Sequence, residues 1–147
     1  MISRRGILAA SAGLAGLAAL PAALFAQDTA AEPVKTADEW IAEFTGGAEA
    51  TEGDGVKLTA PEIAENGNTV PISVDAPGAT EILVLATGNP TPGVAKFTFG
   101  PLAAKQSAAT RIRLAQTQDV VAVAKLADGS FVRTASNVKV TIGGCGG

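Results

Sequence analysis

From Thr51 onward the apolar residues recur at every second position in short runs, and turn-forming residues break each run before it reaches the length of a helix. A period of two sends alternate side chains to opposite faces of an extended chain, so such runs fold as strands with one face toward a core. Val70, Ile72 and Val74 alternate with Pro71, Ser73 and Asp75, directly after the turn signal Asn66-Gly67-Asn68. Glu81 to Thr87 is apolar on both faces, as a central strand would be, and the loop Gly88-Asn89-Pro90-Thr91-Pro92-Gly93 must follow it. Ala95, Phe97 and Phe99 alternate with Lys96 and Thr98, and Ile112 and Leu114 with Arg111 and Arg113. Val120 to Leu126 and Phe131 to Thr134 flank Asp128-Gly129, a dipeptide suited to the positive backbone angles of a tight hairpin. Val138, Val140 and Ile142 then share one face of a final strand. Strands at this spacing, separated by turns, predict an all-β, antiparallel β-sandwich.

Ahead of the strands, Asp28 to Lys35 is a polar lead-in, and Thr36-Ala37-Asp38-Glu39 matches a capping box. The Thr36 hydroxyl is placed for the Glu39 amide while the Glu39 side chain reaches back. The spacing predicts a short N-terminal helix over about 36–45, with Trp40, Ile41 and Phe44 on one side and Gly46-Gly47 ending it. That apolar stripe suits docking on the protein's own core; covering a partner is the alternative.

Residues 1–26 read as a targeting peptide. Paired Arg4 and Arg5 precede an uncharged Ala/Leu/Gly-rich stretch to Ala26, and small residues suited to cleavage occupy 26–31. The pattern is that of the twin-arginine export signal, with Ile7 and Ala9 standing where Phe and Lys are common. A retained membrane anchor is the alternative, although the Ala and Gly content makes a poor lipid-facing helix. Residues 27–142 are then enough for one domain with a modest core, in a periplasmic protein free of the membrane once the signal is gone.

Without Arg4 and Arg5 the excess of acidic over basic residues grows and no basic cluster remains, which argues against nucleic acid as a partner. The chain has no His, no Tyr and one Cys. These absences exclude a Ser-His-Asp triad, a Cys-His pair, His metal ligands, a CxxC redox motif and covalent c-type haem. The carboxylates Asp38-Glu39, Glu62/Glu65 and Glu49/Glu52/Asp54 lie in polar, glycine-bearing or helix-start contexts that suit solvated surface. The expectation is a protein that is not itself an enzyme and holds no cofactor and no metal.

The single cysteine, Cys145, has Gly143 and Gly144 on one side and Gly146 and Gly147 on the other. Four glycines offer no side chain to bury a thiol, and glycine loses the most entropy when fixed. Residues 143–147 are therefore predicted to form a flexible C-terminal arm. From Ile142 to Cys145 the arm would reach roughly 10 Å when extended. A cysteine pKa near ~8.5 is lowered by cations, metals or helix N-termini, and none of these adjoins Cys145 in sequence. The chain presents a nucleophile without activating it, a division of labour that suits a covalent carrier whose thiol enters separate enzymes. A tether that forms an intermolecular disulfide stays open as the alternative.

Residues along essentially the whole chain resemble the SoxY family, the cysteine-bearing subunit of the SoxYZ sulfur-oxidation complex. The Gly143–Gly147 ending carries the resemblance most specifically. The stretch from Ala60 to Pro71, the Gly88-Asn89-Pro90 turn, Thr110-Arg111-Ile112-Arg113-Leu114 and the paired-arginine leader support it. The resemblance implies an immunoglobulin-like sandwich paired with SoxZ as a heterodimer in the periplasm, with Cys145 as the site of covalent substrate attachment. It implies transient visits to SoxAX, a haem enzyme that couples thiosulfate to the thiol, to SoxB, which releases sulfate, and to a sulfane dehydrogenase where present. A lone thiol also permits a disulfide-linked dimer of heterodimers through Cys145. Two other classes stay open: an immunoglobulin-like interaction module tethered through Cys145, and a thiol enzyme working alone.

Overall fold

In the computed structural model, which describes residues 33–143, nine strands and one helix build two stacked sheets with a helix on the outer face of the larger one. The leader 1–26, the cleavage region 26–31, and Gly144, Cys145, Gly146 and Gly147 lie outside the described residues.

The helix α1 spans Ala37–Thr45 and is started as its sequence requires. The Thr36 hydroxyl accepts from the Glu39 amide at 3.3 Å, and the Glu39 carboxylate accepts from the Thr36 amide at 2.6 Å. Those bonds from Thr36, backbone first and hydroxyl second, hold the Glu39 carboxyl below its usual range. Gly46 ends the helix in the left-handed conformation at φ 64°, where a side chain would be strained.

Strands β1 (Ala50–Glu52), β2 (Lys57–Thr59) and β3 (Ile63–Ala64) are short, and the alternation pattern did not single them out. They are too brief to show a period. The longer strands are β4 (Val70–Asp75), β5 (Ala79–Ala86), β6 (Gly93–Thr98), β7 (Ser107–Ile112), β8 (Gln118–Leu126) and β9 (Phe131–Val140). One sheet runs β1-β9-β8-β5-β6, and the other β2-β4-β7. The long strands pair antiparallel as expected, whereas β1 and β3 both lie parallel along the same strand, β9.

Between the sheets, Val70, Ile72 and Val74 of β4 meet Ile82 and Val84 of β5, Val120 of β8 and Val138 of β9, all buried. On the other face of the large sheet, Leu83, Leu85, Val121 and Val123 form a second buried cluster under Trp40, Ile41 and Phe44 of α1. This is why Glu81 to Thr87 is apolar on both faces: one face meets the sandwich core and the other meets the helix. The stripe on α1 therefore packs on its own domain. Phe44 also meets Phe131 edge to face, with centroids 5.8 Å apart.

Several boundaries differ from the sequence expectation, among them those of β6, which takes in Gly93 and stops short of Phe99. The runs at 131–134 and 138–142 belong to one continuous ten-residue strand, because Ala135, Ser136 and Asn137 keep the ladder with β8 despite the polarity of the last two. That strand ends at Val140, not Ile142, whose side chain is 65% exposed. β7 likewise ends at Ile112, so Arg113 and Leu114 lie in the loop beyond it. The Asp128-Gly129 hairpin forms as expected: Gly129 has φ 86°, and Asp128 Oδ1 accepts from the Ser130 hydroxyl and amide.

Candidate functional site

Cys145, Gly144, Gly146 and Gly147 lie outside the described residues, so the described part of the candidate site is the place where the terminal segment leaves the sandwich. Past the end of β9 the chain is still pinned. The Thr141 amide donates to the Ala64 carbonyl at 3.0 Å, and the Ile142 carbonyl accepts from the Gly67 amide at 2.7 Å. Gly67 in turn accepts at its own carbonyl from the Leu114 amide at 2.8 Å. The Asn66-Gly67-Asn68 turn, closed by the Asn68 amide on Asn66 Oδ1, thus bridges the strand end to the loop after β7.

That loop is held from a second side by the turn after β5. The Asn89 carboxamide donates through Nδ2 to the Arg113 carbonyl at 2.7 Å. Its Oδ1 accepts from the Ala115 amide at 2.9 Å and from Gln118 Nε2 at 2.8 Å. Gln118 is 6% exposed, a buried amide that must be satisfied. It also donates to the Gln116 carbonyl at 3.1 Å and accepts from the Gly88 amide at 2.8 Å. Thr117 closes the ring, its hydroxyl accepting from the Val140 amide at 2.9 Å.

Gly143, the last described residue, is open to solvent yet has no room for a side chain: a Cβ built there would collide with the Ala115 carbonyl oxygen. Gly88 is similarly confined, with a Cβ falling 2.9 Å from Gln118 Cβ. Among the described residues, no group of three or more His, Cys, Asp or Glu side chains is placed to hold a metal ion.

Of the stretches singled out in the sequence, Asn66–Asn68, Gly88–Pro90 and Arg111–Leu114 come together at this one end of the molecule. The segment Ala115–Gln118 was missed. Its signal was a cluster of amide and hydroxyl side chains in a connection between two apolar runs, where a solvated loop needs no such set.

The SoxY family, described as the sulfur oxidation protein SoxY, matches residues 41–145. A solved structure of the sulfur carrier protein SoxY from Chlorobium limicola f thiosulfatophilum is 37% identical and superposes with a TM-score of 0.63, over 70% of this chain and 90% of that one. A superoxide reductase (neelaredoxin) from Ignicoccus hospitalis, 18% identical, has a TM-score of 0.52 over 72% of this chain and 93% of its own, a likeness of fold alone. No curated protein sequence matches the chain significantly. With a family match that covers most of the chain and extends through the terminal cysteine, the chain belongs to the SoxY family of sulfur-oxidation proteins.

Proposed function

We propose that this protein carries sulfur intermediates covalently on Cys145 during thiosulfate oxidation, as an exported, periplasmic subunit paired with SoxZ. The family match over 41–145, which takes in the cysteine, is the observation that carries the reading. The 37% identity to a protein described as a sulfur carrier supports it.

The chemistry asks little of the carrier beyond a thiol. Coupling Cys145 to thiosulfate forms an S–S bond to the sulfane sulfur and releases one proton and two electrons, which pass to the haem enzyme SoxAX. Hydrolysis by SoxB adds water across the bond between sulfane and sulfonate sulfur, giving sulfate, a persulfide on Cys145 and two protons. A sulfane dehydrogenase, where present, oxidises that persulfide further. The chain supplies no acid, base or metal to these steps. Its contribution is to keep each intermediate attached and locally concentrated for the next enzyme, with Gly144, Gly146 and Gly147 providing a slender approach; Gly143, expected to belong to the flexible arm, is instead confined against Ala115. A disulfide-linked dimer of heterodimers is the resting form a lone thiol would permit in an oxidising compartment.

Intact-mass measurement of the protein from cells growing on thiosulfate tests the reading. Adducts of sulfur and oxygen that reductant removes, absent from Cys145→Ser, are expected. The bare thiol or a simple homodimer alone would instead favour a tether. Cys145→Ser should also abolish thiosulfate oxidation in a reconstituted system while leaving Tm nearly unchanged.

A further inference from the structure

We infer that the Gly88-Asn89 turn and the Arg113–Gln118 loop form a clamp that fixes where and in which direction the terminal segment leaves the sandwich, with Asn89 as its central positioning residue. The inference rests on the carrier reading for its purpose, and on the described residues alone for its geometry.

Asn89 uses three of its four hydrogen-bonding positions within the clamp, one as donor and two as acceptor. No other side chain of that size combines them: Asp lacks the donor to the Arg113 carbonyl, and Leu or Ala lack both. The bond to the Ala115 amide orients that peptide, and the carbonyl of the same residue is the atom against which Gly143 lies. The neighbouring segments close the ring from the other sides. The Thr117 hydroxyl holds the Val140 amide, Gly67 the Ile142 carbonyl, and Ala64 the Thr141 amide, so the backbone of each of the last residues before Gly143 has a partner outside its own strand.

The arrangement satisfies the buried Gln118 amide as well as the strand end. A thiol that must enter several enzymes also benefits from it, since misplacement by an ångström can cost orders of magnitude in rate. Gly143 then acts as part of the anchor, confined for lack of space.

Pulsed dipolar spectroscopy tests the geometry. Spin labels are placed through Ile142→Cys and Lys57→Cys in a Cys145→Ser background, both labels being on exposed side chains. A narrow distance distribution is expected in this parent. Adding Asn89→Ala should broaden it and move its maximum by up to about 7 Å, the reach of two freed residues. Adding Gly143→Ala should shift it as well, at unchanged Tm, because the side chain must push off the Ala115 carbonyl at the edge of the fold. Gly143→Ala therefore decides the matter if Asn89→Ala folds poorly.

In chains that keep Cys145, Asn89→Ala should lower kcat/KM for enzymatic loading with thiosulfate about tenfold, while the rate of alkylation by iodoacetamide stays at its original value. A label that stays put in Gly143→Ala, or loading kinetics that stay put while the label moves, overturns the inference. Neither label measurement involves sulfur chemistry. Loss of the carrier reading would appear as absent adducts on Cys145 and would leave the distances as they are.

Discussion

At the scale of single residues, glycines in this fold act through space as much as through backbone freedom. A Cβ on Gly93 would fall 2.7 Å from Trp40 Cε2, so the indole that anchors α1 fits against the start of β6 only because that position is bare. Gly93→Ala is expected to destabilise the protein by about 1–3 kcal/mol through overpacking, read from urea unfolding. Gly53→Ala, where a Cβ would meet nothing within 4 Å, should be close to neutral and serves as the control. The sequence makes Trp40 legible as an anchor through its spacing from Ile41 and Phe44. Nothing local distinguishes Gly93 from an ordinary turn glycine, because its reason lies on an element far away in the chain. Gly143 is a parallel case: its neighbours in sequence suggest reach, and only the folded loop at Ala115 reveals the lack of room.

At the scale of elements, the helix shows what local chemistry can and cannot announce. Its start at Thr36 and its end at Gly46 were both readable, because capping is a matter of a few adjacent residues. The capping bonds favour ionised Glu39, whose native pKa is lowered, so their stabilising effect is present above the unfolded pKa and is lost as pH falls through the native one. Hydrogen exchange of the first turn of α1, taken relative to the intrinsic rate at each pH, should therefore accelerate on the acid side of the usual carboxylate range. Thr36→Ala should accelerate it about fivefold near neutrality, the size of a typical lost N-cap, and should remove most of that pH dependence. The short strands β1, β2 and β3 were illegible for the opposite reason. Their pairing comes from partners distant in sequence, and two or three residues carry no periodicity of their own.

At the scale of the whole molecule, the sandwich was readable and its sheet order was not, since alternation fixes faces but names no neighbours. The order leaves β6 at one edge of the large sheet and β7 at one edge of the small one, each six residues long, joined by a loop on which Leu102 is 97% exposed. The opposite edges are formed by strands of three residues or fewer, a length that discourages further pairing. Adding SoxZ should therefore slow hydrogen exchange along β6 and β7 more than along β1 and β2. Absence of protection at both long edges would place the heterodimer surface elsewhere. The candidate site follows the same division: the turns at Asn66–Asn68 and Gly88–Pro90 could be picked out singly from adjacent letters, whereas their meeting with the Arg113–Gln118 loop needed distant parts of the chain to be brought together.

The placement of β9 has a mechanical consequence. This strand leads into the terminal segment and is bonded along both sides, to β8 on one and to β1 and β3 on the other. A pull on the tail acts along the strand, so it loads these bonds together in shear, whereas an end strand tugged sideways would yield one bond at a time. Load entering at the end of β9 is thus borne by the middle of the sheet and does not unravel the body that holds it.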